Sequence, residues 1–414
     1  MAEAERRRRY ALVGTGNRGT KMWGSGLLEG WSDYVDLVAI CETNSLRGER
    51  ARQMIKSNAP IYADFDQMLA EAKPDLVIVC TPDFTHDEMI VKALDFGCSV
   101  ITEKPMTTTP DKIRRILDAE KRSGKKIDVS FNYRFAPIAA RIKELLNEGA
   151  IGTVTSVDFH WYLDTEHGAD YFRRWHAYTR NSGSLFVHKS THHFDLLNWY
   201  LDSEPETVSA FGEQRNYGKA GPFRGVRCKT CPHAGECDYY LDLEKNPFLD
   251  ALYEDPSEID GYFRDACVYR EDIDIPDTMV ATIKYRNQVA VSYSVNTFMP
   301  IEGHHIAFNG TKGRIELRQY EDQPWEMPAS DEILLVRNFG KGVERIVVPH
   351  QPGGHYGGDD RMRNMIFKPG AIDTLKQRAD SRAGAMSVLC GVAALESARS
   401  GKKVRIDELM PEFA

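Results

Sequence analysis

The chain has 414 residues, 42% of them hydrophobic and 28% charged, and a formal net charge of −8. That length points to two domains, and the composition is that of an ordinary globular protein. The acidic balance argues against nucleic-acid partners, and no apolar segment approaches the roughly 18 residues of a membrane span.

The basic run Arg6–Arg9 leads straight into a strand rather than into a signal-peptide core. It reads as a solvated tail, and the protein as cytoplasmic. Tyr10–Val13 is the first short buried strand, and Thr20–Glu29 can form a helix despite Gly24 and Gly26. Between them stands Gly14-Thr15-Gly16-Asn17-Arg18-Gly19. In such a strand–turn–helix, Gly14 permits the tight turn, Gly16 the approach of a pyrophosphate, and Gly19 close helix–strand packing. The following helix N-terminus offers N–H groups to the anion, with Asn17 and Arg18 inside the turn. The next strand, Val35–Ile40, runs into Cys41 and Glu42, and Glu42 lies 23 positions after Gly19. An acidic residue at that distance holds the adenosine ribose hydroxyls and repels a 2′-phosphate. NAD is therefore expected over NADP, although Arg47 and Arg50 lie nearby.

Leu76–Cys80 is a near-continuous apolar run, as expected of a parallel strand covered on both faces. A helix over Asp87–Phe96 ends at Gly97, a strand follows at Val100–Ile101, a helix at Pro110–Ser123 closes at Gly124, and Ile127–Phe131 is a further strand. The alternation predicts a doubly wound α/β domain over residues 1–132, with ligands at the carboxyl ends of its strands. Three segments sit at such ends: Thr81-Pro82 with His86, Glu103-Lys104-Pro105, and Asn132-Tyr133-Arg134-Phe135. A lysine near the expected nicotinamide can hydrogen-bond a substrate hydroxyl and stabilise developing oxyanion charge.

After Pro137 the texture changes. After a helix at Ile138–Asn147, long alternating stretches at Val154–Trp161, Thr278–Tyr285 and Gln288–Asn296 predict an open, mostly antiparallel sheet in a C-terminal α+β domain, residues 133–414. Asp380–Gly401 reads as a helix. Residues 212–275 look like an irregular insertion.

In this order, the glycine turn, Thr81-Pro82 with His86, and Glu103-Lys104-Pro105 resemble the glucose–fructose oxidoreductase, inositol dehydrogenase and rhizopine-catabolism (Gfo/Idh/MocA) family. The resemblance extends through Gly183–Asp195 and the Gly310–Gly313 turn. It implies an NAD(P)-dependent dehydrogenase of sugars or polyols whose second domain covers the nicotinamide and mediates homodimer or homotetramer contacts. It makes Lys104 the catalytic lysine and places Thr81, Pro82, His86 and Glu103 at the cofactor. With Asp195 fixing the register, His192 matches the family's catalytic histidine, and His188 stands where an aspartate is usual. An imidazole near pKa 6.5 suits proton transfer at neutral pH.

Six of the twelve histidines fall between His160 and His193. His188 is a third catalytic candidate as well as a pocket residue, and Lys189, Tyr133, Arg134, Tyr162, Asp164, Arg174 and Trp175 are candidate substrate-binding residues. His167, Tyr171, Arg173, His176 and Arg180 extend this polar and aromatic set. Convergence of Lys189 with two arginines would favour an anionic sugar. Gly353–Asp360 is read either as a loop over the substrate or as a surface turn.

Cys41, Cys80, Cys98 and Cys390 read as buried thiols. Cys228, Cys231, Cys237 and Cys267 are the candidate ligands of a structural zinc, with His233 as a possible substitute; thiols or a disulfide are the other reading. The function expected is hydride transfer from a sugar, sugar derivative or polyol to NAD. The alternatives are NAD-dependent glycoside cleavage, in which transient oxidation at carbon-3 permits elimination, water addition and re-reduction, and a non-catalytic NAD sensor.

Overall fold

The computed structural model describes residues 6–413. Its first sheet has six parallel strands: β1 (Arg8–Val13), β2 (Val35–Cys41), β3 (Ile61–Tyr62), β4 (Leu76–Val79), β5 (Ser99–Thr102) and β6 (Ile127–Val129). They run in the order β3-β2-β1-β4-β5-β6. The order reverses at β1, which opens a crevice at the strands' carboxyl ends, beside the glycine turn. All four residues of β4 are buried, which explains its unbroken apolar run. The helix after the turn spans Gly19–Trp31, but Gly19–Ser25 are wound as a π-helix, a departure common at functional sites. Arg8 and Arg9, expected in a solvated tail, lie within β1, where the Arg9 amide donates to Asp75 (2.9 Å).

The second sheet has nine strands: β7 (Val154–Asp164), β8 (Pro205–Glu213), β9 (Thr278–Tyr285), β10 (Ala290–Met299), β11 (Glu302–Gly310), β12 (Gly313–Asp322), β13 (Ser330–Arg337), β14 (Val343–Pro349) and β15 (Val404–Arg405). Their order is β14-β13-β12-β11-β7-β10-β9-β8-β15, antiparallel except for the β7–β10 pair. One face is buried beneath the helices Ser190–Leu201 and Ser381–Ser400, which touch through Thr191 and Ser387 (2.9 Å). The pleat sorts β7 strictly. Val157, Phe159, Trp161 and Leu163 point into that core, and Asp158, His160 and Tyr162 to the other face.

Residues 214–277 link β8 to β9 through short helices, including Pro247–Tyr253 and Ser257–Asp260, and form no strand of either sheet. Among the described residues, no helix is long and apolar enough to cross a membrane.

Candidate active site

The glycine turn is shaped by close backbone approach. Gly14 has φ +85°, and a Cβ there would lie 2.8 Å from the Cys80 backbone; one on Gly19 would lie 2.2 Å from the Gly14 carbonyl oxygen. Only glycine fits either place. The turn's amides point at oxygen acceptors. Thr15 N–H and its hydroxyl donate to Glu42 Oε2 (3.0 and 2.9 Å), and Asn17 N–H donates to the Tyr253 hydroxyl (2.9 Å). A donor set that holds a carboxylate and a hydroxyl in this way suits the oxygens of a dinucleotide. Glu103 joins the turn to Lys104. Its Oε1 accepts from Arg18 Nε (2.7 Å) and Trp23 Nε1 (2.8 Å). Burial opposes ionisation of Glu103, but Arg18 and Trp23 outweigh it and hold the carboxyl below its usual range. His86 contacts the carbonyls of Thr81 (2.8 Å) and Pro105 (2.9 Å), tying the loops after β4 and β5 together.

At the other end of the crevice, Lys104 Nζ donates to the His188 carbonyl (3.1 Å). Burial lowers the lysine to about 8, with Asp83 as the largest opposing influence. His188 Nδ1 lies 2.5 Å from Asp83 Oδ2, and both residues are buried. The carboxylate partner of His188 thus follows Pro82 in the N-terminal domain. His192 lies edge-on to Tyr133 (4.8 Å), and its Nδ1 is buried without a hydrogen-bond partner. Burial, reinforced by Lys104 and Lys189, holds its pKa well below the usual value, so the ring is neutral at pH 7. The Lys189 ammonium stands 5.0 Å from the Trp161 ring centre and 6.0 Å from that of Tyr133. Glu302, His167 and Tyr171 form a further hydrogen-bonded chain, with contacts of 3.0 and 2.9 Å.

Comparison with known proteins matches two family descriptions to this architecture: the NAD-binding Rossmann fold of an oxidoreductase family over residues 8–131, and that family's C-terminal alpha/beta domain over residues 143–406. The chain belongs to the Gfo/Idh/MocA family. It is 36% identical over 421 residues to YteT of Bacillus subtilis (strain 168), a protein named as an oxidoreductase, covering 96% of this chain and 97% of that one. D-glucoside 3-dehydrogenase of Escherichia coli (strain K12) is 31% identical over 146 residues, or 35% of this chain and 41% of the relative. Levoglucosan dehydrogenase, solved with NADH and levoglucosan, superposes with a TM-score of 0.71 at 18% identity, over 97% of this chain and 100% of that one, a likeness of fold.

Within this Gfo/Idh/MocA chain, several residues expected in the pocket have other work. Arg134 forms a buried two-pronged ion pair with Asp195 (2.6 and 2.7 Å), so its guanidinium braces the helix Ser190–Leu201. Asp164 caps the helix Thr165–Arg173, accepting from Glu166 N (2.8 Å) and His167 N (2.7 Å). Tyr162 faces away from Lys189 because of the pleat; its neighbour Trp161 faces it. The arginines do not converge on Lys189. Arg173 is spent on Cys228 Sγ (3.3 Å) and the Tyr239 carbonyl, Arg174 on Asp170 (3.1 Å), and exposed Arg180 on the ring of Tyr178 (4.6 Å). Trp175 stacks on His176 (3.6 Å) and stands edge-on to His188 (5.7 Å).

The zinc expectation is corrected. Cys228, Cys231, Cys237 and Cys267 line one small cavity, yet among the described residues no group of three or more His, Cys, Asp or Glu side chains is arranged to hold a metal ion. All eight thiols are free. Arg173 and the Leu241 amide (3.4 Å) donate to Cys228 Sγ, and the Tyr269 amide (3.4 Å) donates to Cys267 Sγ. The glycine-rich segment, by contrast, is more than a surface turn. His355 lies 4.9 Å from Tyr133, and Asp359 takes Asn132 (2.6 Å) and Arg18 (3.3 Å). His355 and Tyr356 both carry positive φ, 51° and 55°, the kind of backbone strain that clusters at sites.

Sequence reasoning missed Asp83 and Tyr253. Asp83 sits inside a segment already singled out, but nothing local pairs it with a residue 105 positions away.

Proposed function

We propose that this protein oxidises a sugar, a sugar derivative or a polyol by transferring hydride to NAD held at the Gly14–Gly19 turn and Glu42. The bound nicotinamide would supply the hydride acceptor. Neutral His192, whose buried Nδ1 has no partner, marks the base that takes the hydroxyl proton. Lys104, as an ammonium, stabilises the oxygen as that proton leaves. Asp83 and His188 position it: the carboxylate fixes the His188 ring, and the His188 carbonyl fixes Nζ. Tyr133 and Trp175 border this space with aromatic rings for the apolar side of a sugar, and Lys189 brings a cation for its oxygens.

The observation that carries this reading is the meeting of Lys104, His188 and Asp83 at the carboxyl ends of β4 and β5, one side chain away from the glycine turn through Glu103. The test follows reduced nicotinamide and aglycone release together, with sugars, polyols and chromogenic glycosides as substrates. Reduced nicotinamide is expected to form in step with sugar oxidised. Aglycone release with no reduced nicotinamide would replace net oxidation by redox-neutral cleavage.

A further inference from the structure

Residues 246–262, within the stretch between β8 and β9, lie across the glycine turn, and the sequence offered no role for them. Tyr253, at the end of the helix Pro247–Tyr253, places its hydroxyl 2.9 Å from Asn17 N and 3.1 Å from where a Gly16 Cβ would stand. It therefore sits directly over the amides that suit a pyrophosphate. A second anchor lies at the acidic end of the same cleft. Asn44 Nδ2 donates to the Pro256 carbonyl and to Asp260 Oδ2, both at 2.8 Å. Arg47 donates to the Leu252 carbonyl (3.1 Å) and pairs with Asp260 (2.7 Å). One segment thus covers both landmarks of the dinucleotide site, the turn and the ribose end beside Glu42.

The segment is held from behind as well. Glu254, next to Tyr253, is gripped by Arg227 (2.5 Å) and Lys229 (2.6 Å), which flank Cys228 on the cysteine-bearing loop. Arg227 also pairs with Asp265 (2.9 Å). The apolar contact beneath is small and separate from the main core: Ala51, Leu252 and Tyr253, bordered by Met54, Phe248, Leu249 and Tyr262. Fixation by a few directed polar bonds over little apolar surface is what a segment needs if it is to open and reclose as a unit.

We propose that residues 246–262 form a strap over the dinucleotide cleft and that NAD, once beneath it, leaves more slowly than hydride is transferred. The inference rests on the proposed use of NAD at Gly14–Gly19. Its consequence is kinetic: strap opening, not chemistry, limits repeated turnover. A burst of one reduced nicotinamide per site precedes a slow phase set by cofactor release. Asp260 adds selectivity, because an Arg47 engaged by Asp260 and the Leu252 carbonyl is not free to receive a 2′-phosphate.

The test measures release itself. Full-length protein loaded with NADH is mixed with excess NAD, and the loss of bound-nicotinamide fluorescence gives the rate. The wild type is expected to release NADH more slowly than the single-turnover hydride step. Tyr253→Ala combined with Asp260→Ala is expected to release it at least 10-fold faster, with apoprotein melting little changed. Equal release rates in the two proteins, or wild-type release faster than hydride transfer, would overturn the strap. Should the double variant fail to fold, hydrogen exchange of the wild type decides instead: amides of 246–262 are expected to slow when NAD binds, and unchanged exchange overturns the proposal. Absence of any NAD binding in equilibrium dialysis is a different failure, one that removes the cofactor reading beneath it.

Discussion

The cofactor end of the site is built largely from backbone, whereas the substrate end is built from side chains that meet only in the folded chain. At the turn, two glycines and a run of amides within six consecutive residues create the binding surface, and Glu42 and Glu103 fasten it. Across the crevice, Asp83, Lys104, Tyr133, His188, His192 and His355 come from separate elements, and each depends on another for its position. The first arrangement tolerates loss of one side chain, because the amides remain. The second is expected to fail when any bonded pair is broken.

The comparison is tested most severely at Lys104. Lys104→Met should lower turnover about 10³-fold, while NAD affinity, read by fluorescence titration, stays within about threefold. A parallel loss of NAD binding would show that the two ends are not separable. Asp83→Asn comes next, with turnover reduced on the order of 10²-fold through misplacement of His188 and Lys104. It also carries a signature in pH. Lys104 is lowered to about 8 chiefly by burial; Asp83, whose own carboxyl burial pushes well above the usual range, pulls the lysine upward when ionised. If the ammonium is the active form, wild-type oxidation declines above about pH 8, and removing the Asp83 charge moves that decline to lower pH. A profile that stays in place would make Asp83 merely structural.

Two smaller effects sharpen the contrast. Glu42→Ala should raise the KM for NAD about tenfold and narrow the preference over NADP, with the turnover number barely altered. Asp164→Ala removes a helix cap, so it should cost about 1 kcal/mol of stability while leaving the KM for the sugar within about twofold. A large rise in that KM would return Asp164 to the pocket.

The same contrast explains what was legible in the sequence. Local chemistry announced the glycine turn, the helix Pro110–Ser123 with its closing Gly124, and the strand Thr278–Tyr285 with its alternation, and all three occur as read. Glu103-Lys104-Pro105 and His192 could be picked out by their order along the chain. Asp83 beside His188, Tyr253 over Asn17, and His355 against Tyr133 could not, because each pairing spans more than a hundred residues and no local period encodes it. Two residues expected in the pocket share a feature. Asp164 and Arg134 are polar residues beside the site whose hydrogen-bonding capacity is consumed by a helix cap and by Asp195. The cysteines show the limit of spacing in another way: it does not by itself bring ligands round one point, and among the described residues no group of three or more is arranged to hold a metal ion.

The central claim is that hydride passes from a sugar carbon to NAD in the space bounded by Lys104 and His192. A single-turnover experiment with NAD-loaded protein and a substrate deuterated at its oxidised carbon tests it most directly, with the nicotinamide analysed by mass spectrometry. One deuterium per site is expected on the nicotinamide of the wild type, and none on that of Lys104→Met within the same time. Deuterium retained by the sugar or lost to water, or equal labelling in the variant, would contradict the account.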